Sequence, residues 1–170
     1  METLSYRFAN LEDAEIIHQY TQEVFIESQN VLFLPDFLLN SIKGDELSYL
    51  LKIIQDNRSF IYLAFSGSRM VGMSDGHLSK PPTPKLTIGV TVKKNFRRKG
   101  IGKKLIESMI LECQRRNILE LNLHTYSHNH AALALYQNLG FETLYDSNNK
   151  KIITSSGEVV SKVDMRMLIE

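Results

Sequence analysis

The chain has 170 residues, of which 43% are hydrophobic and 23% charged, close to ordinary globular proteins. This length favours one domain, residues 1–170, with its own hydrophobic core. A formal net charge of +1 excludes a protein drawn to nucleic acid or membrane by its overall charge, and the single cysteine excludes a disulfide framework or a thiolate metal cluster.

Targeting features are not evident in the sequence. No apolar run approaches the ~20 residues that span a bilayer. The first residues also lack the basic segment and apolar core of a signal peptide. We therefore expect a cytoplasmic protein, without membrane or nucleic-acid partners, that is a monomer or a homodimer.

The first third of the chain predicts a strand and two helices. Leu4–Phe8 has the composition of a strand, and Asn10 is placed to cap a helix with Asp13 in a capping box. The apolar stripe of that helix comprises Leu11, Ile16, Ile17, Tyr20, Val24 and Phe25. Further on, Pro35 marks a helix start, and residues 47–54 predict a second helical run.

The middle of the chain predicts three strands. Residues 60–65 are rich in β-branched and aromatic side chains, and Gly67 begins a turn into a hairpin partner, residues 70–78. A proline-containing loop follows, and Leu86–Val92 then gives a third alternating strand.

The last third alternates helices and strands. The helix after residue 100 has one apolar face, formed by Leu105, Ile106, Met109, Ile110 and Cys113. Alternating leucines at 119, 121 and 123 predict a strand, and residues 130–139 predict a short helix closed by Gly140. Residues 141–145 and 159–169 predict final strands around a polar hairpin. This mixture indicates an α/β or α+β fold.

The loop Arg97-Arg98-Lys99-Gly100-Ile101-Gly102 has the chemistry of an anion cradle. It joins a predicted strand to a helix N-terminus, where unpaired N–H groups attract negative charge and glycine permits close approach. The residues alone predict a phosphate or pyrophosphate site. A solvated loop, a nucleic-acid patch and a nucleotide phosphotransferase remain alternatives, although the spacing departs from G-x-x-x-x-G-K-[ST].

Three blocks carry a family resemblance. The loop fits [Q/R]-x-x-G-x-[G/A], residues 129–136 match N-x-x-A-x-x-L-Y, and Leu139-Gly140-Phe141 closes that helix. Over residues 86–141 the chain resembles the GCN5-related N-acetyltransferase (GNAT) superfamily. The resemblance implies a mixed, mostly antiparallel central sheet with a splayed parallel strand pair, flanked by helices.

The resemblance further implies acetyl-coenzyme A (acetyl-CoA) as donor, with pantetheine between the strands ending near Val92 and Tyr126. Val90 and Val92 would bond the pantetheine amides through the backbone, beside Thr91. The implied pyrophosphate cradle comprises Arg97, Arg98, Lys99, Gly100, Ile101, Gly102 and Lys103. Asn129 would contact the cofactor, although its position also suits a helix cap.

Direct attack of an amine on the thioester requires an oxyanion donor and a proton for the leaving thiol. The resemblance assigns these roles to the Val92 backbone N–H and the Tyr136 hydroxyl. A phenol with an ordinary pKa of about 10 stays protonated at neutral pH. The alternative for Tyr136 is simple packing in the core.

The general base is less evident, because the sequence has no carboxylate between Leu78 and Glu107, where many family members carry a glutamate. Asp75 or His77, on the neighbouring strand, is the nearest candidate, and a base acting through ordered water is the alternative. Both are also ordinary strand residues.

The resulting hypothesis is an acetyl-CoA-dependent N-acetyltransferase acting on a small-molecule, polyamine or protein amine. The alternative is a non-catalytic coenzyme A-binding module of the same fold. The acceptor would enter between residues 24–36 and the strand carrying Asp75. Candidate side chains at that entrance are Phe25, Phe33 and Phe37, with core packing as the alternative. Asp36, Asp45 and Glu46 lie in the same region, with an ordinary role at helix starts as the alternative. We expect no metal, since His124, His128 and His130 match no zinc spacing.

Overall fold

The computed structural model describes residues 3–27, 46–80, 84–144, 151–153 and 159–170. The strands are β1 Leu4–Phe8, β2 Ser59–Ser66, β3 Arg69–Leu78, β4 Leu86–Val92, β5 Glu120–Tyr126, β6 Glu142–Thr143, β7 Lys151–Ile153 and β8 Val159–Leu168. The helices are α1 Ala14–Glu27, α2 Glu46–Gln55, α3 Ile101–Arg115 and α4 His130–Asn138, with 3₁₀ turns at Leu11–Asp13 and Lys94–Phe96.

The strands form one twisted surface in the order β1-β2-β3-β4-β5-β8-β6, with β7 paired to β8. Strands β4 and β5 run parallel, whereas the other neighbouring pairs among the described residues are antiparallel. Helices flank this sheet, so the predicted mixed fold with one parallel strand pair is confirmed.

Side-chain alternation along the strands divides the core between the two faces of the sheet. Helices α1 and α2 cover one face, where the core includes Ile17, Tyr20, Val24, Leu50, Leu63 and Met73. Helix α3 and Tyr136 of α4 pack on the other face, where the core includes Leu86, Ile88, Ile106, Met109, Cys113, Leu121 and Leu123. No helix in the described part of the chain is long and apolar enough to cross a membrane.

The predicted capping box at the start of α1 is confirmed. The Asn10 side chain accepts from Glu12 N–H at 2.9 Å, and the Asp13 carboxylate accepts from Asn10 N–H at 2.8 Å. The first turn is 3₁₀ rather than α, and Arg7 forms two 2.6 Å bonds to Asp13. This hydrogen bonding by Arg7 lowers the pKa of Asp13.

Asp13→Asn should therefore destabilise the protein by about 1 kcal/mol at neutral pH. A carboxyl whose pKa is lowered by folding contributes stability above its unfolded pKa and loses that contribution as pH falls through the folded pKa. The difference between wild type and variant, measured by urea unfolding, should thus shrink in acid. An equal difference at pH 7 and at pH 2 would contradict the role of the ionised carboxylate.

Gly72 lets the start of α3 lie against β3. A Cβ at this position would come within 3.0 Å of Ile101 Cγ2 and 3.2 Å of Leu105 Cδ1. Ile101 and Leu105 are almost fully buried, so neither side chain has room to move. The first turn of α3, which carries the glycine loop, is therefore positioned by a close approach to the sheet.

Gly72→Ala should destabilise the protein by about 1–3 kcal/mol, because the core would be overpacked. Gly102→Ala, in the first turn of α3, is the control, since its Cβ would lie 3.5 Å from Leu135 Cδ2, an ordinary contact. Alanine in a helix should stabilise by about 0.5–1 kcal/mol relative to glycine. Urea unfolding of both variants tests this, and equal stabilities for the two would refute the close-approach argument.

The structure corrects several predicted details. Leu11 and Phe25 are 46% and 42% exposed, because only Ile17, Tyr20 and Val24 of that stripe face the sheet squarely. Leu119 is 63% exposed because it precedes the paired part of β5. The strand β7 was not predicted, and β6 is limited to its two residues paired with β8. The predicted features at Phe33, Pro35, Asp36, Phe37 and Asp45 lie outside the described residues.

Candidate active site

The parallel strands β4 and β5 separate along their length. Their pairing is limited to Leu86 with Leu121 and Thr87 with Asn122. Beyond these pairs β4 continues for five residues to Val92 and β5 for four residues to Tyr126. The two strands therefore splay apart as the resemblance implies, and a gap opens between their carboxyl ends.

The register of β3 and β4 determines which backbone groups face this gap. Lys93 N–H donates to Val71 O at 3.0 Å, so these two residues form a hydrogen-bonded pair. Hydrogen-bonded and non-hydrogen-bonded pairs alternate along an antiparallel ladder. Val92 and Val90 consequently fall in non-hydrogen-bonded pairs, and their N–H and C=O groups point away from β3 into the gap.

The glycine loop at the end of β4 has the backbone geometry of an anion site. Gly100 precedes α3 with φ +78°, and Arg98 also has positive φ, +63°. The first intrahelical bond runs from Lys104 N–H to Gly100 O at 3.0 Å. The N–H groups of Ile101, Gly102 and Lys103 are therefore directed out of the helix end, where they suit a phosphate.

These elements surround a cleft of about 1010 Å³. Of the residues predicted to bind the donor, the cleft is lined by Val90, Thr91, Val92, Arg97, Arg98, Gly100, Ile101, Gly102, Lys103, Asn129 and Tyr136. Lys99 is not among the lining residues, and its ammonium lies 4.9 Å from the centroid of the Phe96 ring. Lys93 is also withdrawn from the basic loop, since it is 4% exposed and paired with Glu23.

Arg97 closes the loop onto the strand. Its Nε donates to Val92 O at 3.0 Å, while the rest of the guanidinium stays exposed beside the cleft. Asn129 caps α4, since its side chain accepts from Ala132 N–H at 3.3 Å. Both roles are compatible with contact to a ligand in the cleft.

Tyr136 lies in α4 and faces the cleft from the α3 side of the sheet. It is 8% exposed, and its ring packs 6.0 Å from that of Phe141. Burial raises the pKa of Tyr136 to about 12, so the phenol remains protonated throughout the neutral range. The hydroxyl can therefore donate a hydrogen bond to an anion in the cleft.

Asp75 is the buried carboxylate of the site. It lies in the middle of β3 opposite Gly89 of β4, and the absent side chain of that glycine leaves space beside it. Its Oδ1 has no hydrogen-bond partner among the described residues. Desolvation by burial raises the pKa of Asp75 to about 7, a value suited to general-base catalysis near neutral pH.

His77, the second base candidate, occupies a different environment. It is exposed, and its Nδ1 lies 3.2 Å from the Ser59 hydroxyl across the β2–β3 pair. Both side chains line the same cleft. The structure thus brings both candidates to one site, with Asp75 buried beside the strand gap and His77 nearer its entrance.

Several cleft residues had no sequence motif that could reveal them. The end near Asp75 is lined by Lys52, Ile53, Asp56, Ser59 and Ile61 from α2, the turn after it and β2. Their place depends on how α2 packs over the sheet, which no local pattern records. Phe25 is not among the lining residues. In the described part of the chain, no three histidine, cysteine or acidic side chains are grouped to hold a metal.

Comparison with known proteins agrees with this geometry. The sequence profile of the Acetyltransferase (GNAT) family matches residues 20–141. The ribosomal protein bS18-alanine N-acetyltransferase of Escherichia coli is 30% identical over 91 residues, 53% of this chain and 62% of that protein. This chain therefore matches less than two thirds of that relative's length.

Solved structures share the whole fold. A GNAT-family acetyltransferase from Streptococcus pneumoniae superposes with a TM-score of 0.79 at 21% identity, covering 98% of this chain and 100% of that one. A putative acetyltransferase from Salmonella typhimurium, solved with acetyl-CoA, gives 0.75 at 17% identity, covering 99% and 95%. With the family profile matching most of its length, this chain belongs to the acetyltransferase (GNAT) family.

Proposed function

We propose that this protein transfers an acetyl group from acetyl-CoA to a primary amine. The observation that carries the proposal is the gap between β4 and β5, which ends at the N-terminus of α3. The extended pantetheine arm of acetyl-CoA fits the gap, where backbone groups point away from β3. The pyrophosphate of acetyl-CoA fits the N-terminus of α3. Family membership supports the same donor.

The donor contacts follow from the backbone. Val90 offers its N–H and C=O groups to the pantetheine amides, as an added strand would, and the Val92 N–H is left for the thioester oxygen. The N–H groups of Ile101, Gly102 and Lys103 offer donors to the pyrophosphate, while Arg97 and Arg98 supply charge. Bare glycine at 102 leaves the phosphate within reach of the helix end.

Three groups supply the chemistry. Asp75 accepts a proton from the attacking amine, directly or through water, and its elevated pKa matches this task near pH 7. The Val92 N–H donates to the oxygen that becomes negative as the thioester is attacked. Tyr136 donates a hydrogen bond to the departing sulfur. No covalent enzyme intermediate is needed.

The acceptor is an amine whose class remains open among small molecules, polyamines and proteins. The Escherichia coli relative is named for an alanine of ribosomal protein bS18, which makes a protein amine one candidate. Lys52, Asp56 and His77 line the end of the cleft beyond Asp75, where such an acceptor would lie.

The proposal is tested by titrating the protein with acetyl-CoA in a calorimeter and then measuring thiol release with a panel of amines. We expect saturable donor binding and amine-dependent release of coenzyme A. Binding without release from any amine would favour the non-catalytic module instead. Tight ATP binding without coenzyme A binding would refute the donor assignment.

The glycine position offers a separate test of donor binding. Gly102→Leu should weaken acetyl-CoA binding by about tenfold or more, because a large side chain would stand at the phosphate-binding helix end. Gly102→Ala, permitted by the sequence pattern, should bind nearly as well as wild type. Calorimetry measures both, and unchanged affinity in the leucine variant would contradict the cradle.

A further inference from the structure

One face of α1 is tied to the end of β4 by polar contacts. Tyr20, Glu23 and Glu27 follow one another at three- and four-residue intervals, so they share a helix face. Their partners are Thr91, Lys93 and Lys94, the residues on either side of Val92.

The contact between Tyr20 and Thr91 is buried, and the one between Lys93 and Glu23 is partly buried. The hydroxyls of Tyr20 and Thr91 lie 3.1 Å apart, and the Lys93 ammonium donates to the Glu23 carboxylate. That ammonium also lies 5.6 Å from the centroid of the Tyr20 ring, and the Lys93 side chain is only 5% exposed. The hydrogen bond from Lys93 lowers the pKa of Glu23, which favours the ionised carboxylate.

Two further bonds complete the attachment. The Glu27 carboxylate accepts from Lys94 N–H at 2.9 Å, and Arg97 Nε donates to Val92 O at 3.0 Å. Val92 is thus flanked by residues bonded to α1, and its own carbonyl is held by the loop. We refer to Tyr20, Glu23, Glu27 and their three partners as the α1 clamp.

The α1 clamp lies on either side of Val92, which indicates a role beyond stability. After Thr87, the one strand paired with β4 in the described part of the chain is β3, because the ladder to β5 has ended. The Val92 N–H nevertheless has to be held in place before the reaction to stabilise a developing oxyanion. The end of β4 lacks a paired strand on the β5 side, and its contacts with α1 hold it in place instead.

We propose that Glu23 and Lys93 are positioning residues that hold the Val92 amide in the geometry needed for acetyl transfer. This inference rests on the proposed function, in which the same amide faces the thioester oxygen. It assigns the pair a role in the chemical step rather than in donor affinity. A purely structural ion pair would affect stability alone, and ion pairs with a partly exposed partner contribute little to it.

The test compares steady-state kinetics of wild type, Glu23→Gln and Lys93→Met, with Tyr20→Phe as a milder variant that should fold even if Lys93→Met does not. We expect kcat to fall about 10- to 100-fold in the first two variants, while the KM for acetyl-CoA stays unchanged. Arg115→Met is the matched control. It removes a 2.6 Å ion pair with Glu112 at the far end of α3 and should leave kcat unchanged.

A second readout needs no turnover. Acetyl-CoA should shift the Val92 amide resonance in the NMR spectrum of wild type, and this shift should shrink in Glu23→Gln and Lys93→Met. An unchanged kcat in both variants, or a Val92 response equal to that of wild type, would overturn the inference. Absence of turnover in wild type would instead refute the proposed function, and the NMR comparison would still decide the role of the clamp.

Discussion

Replacing Asp75 with asparagine should lower kcat/KM by about 100- to 10,000-fold, because the variant keeps the shape of the side chain but cannot accept a proton. In wild type, burial raises the pKa of Asp75 to about 7. Activity limited by this base should therefore increase with pH through about 7 and then level off. The variant should lose that ionisation from its pH–rate profile.

The measurement is a pH–rate profile of kcat/KM at limiting amine for wild type and Asp75→Asn. His77→Asn is the control, since His77 lines the same cleft but is exposed and paired with Ser59. It should retain the ionisation near pH 7. Loss of that ionisation in the His77 variant alone would transfer the base role to His77. Retention of the ionisation in both variants would mean that neither side chain is the base, and would favour another group acting through ordered water.

Asp75→Asn, which should lower activity, should increase stability. A carboxyl with a pKa raised by folding stays protonated in the native state while the unfolded chain ionises, so stability falls as pH increases from about 4 to about 7. Above pH 7 the full penalty, about 4 kcal/mol, is present. Asp75→Asn should thus unfold at higher urea concentration than wild type at pH 8, with little difference at pH 4.

A combination of lost activity and gained stability would be informative, because a merely damaged protein loses both. It would show that the buried charge is kept at the expense of stability, as expected of a functional group. Lower stability of the variant at pH 8 would contradict the burial of the Asp75 carboxylate with its Oδ1 unpartnered.

The parts of the fold that the sequence predicts well are those with local causes. The glycine loop needs its residues in one stretch, and the positive φ of Gly100 is a conformation that glycine adopts readily, whereas the positive φ of Arg98 was not predicted. The cap at Asn129 and the positive φ of Gly140 are local in the same way. The splay of β4 and β5 was accessible only through the resemblance.

The roles of Asp75 and Lys93 depend on tertiary packing. In the sequence Asp75 is one polar residue of an alternating strand, and its burial depends on its register against Gly89 and on α1 and α2 above it. Lys93 begins a run of basic residues, yet it is withdrawn from the basic surface by Glu23, seventy positions earlier. Neither the register of Asp75 against Gly89 nor the ion pair between Lys93 and Glu23 can be read from a local sequence pattern.

Tyr136→Phe should lower kcat by about 10- to 100-fold without changing the KM for acetyl-CoA, which is the effect of losing one hydrogen bond to a developing anion. With a pKa of about 12, Tyr136 is a weaker acid than a thiol, whose ordinary pKa is about 8.5. Complete proton transfer to the sulfur is therefore uphill. The hydroxyl acts instead as a donor that stabilises the thiolate as it leaves.

Tyr126→Phe is the matched control, because Tyr126 is equally buried but does not line the cleft. Its ring stacks on His128 at 5.5 Å, and kcat should be unchanged when its hydroxyl is removed. A higher KM for acetyl-CoA with unchanged kcat in Tyr136→Phe would show that the ring packs against the donor and takes no part in thiol release. A lower kcat in Tyr136→Phe alone separates the sulfur contact from general packing, because both variants remove one tyrosine hydroxyl and retain the ring.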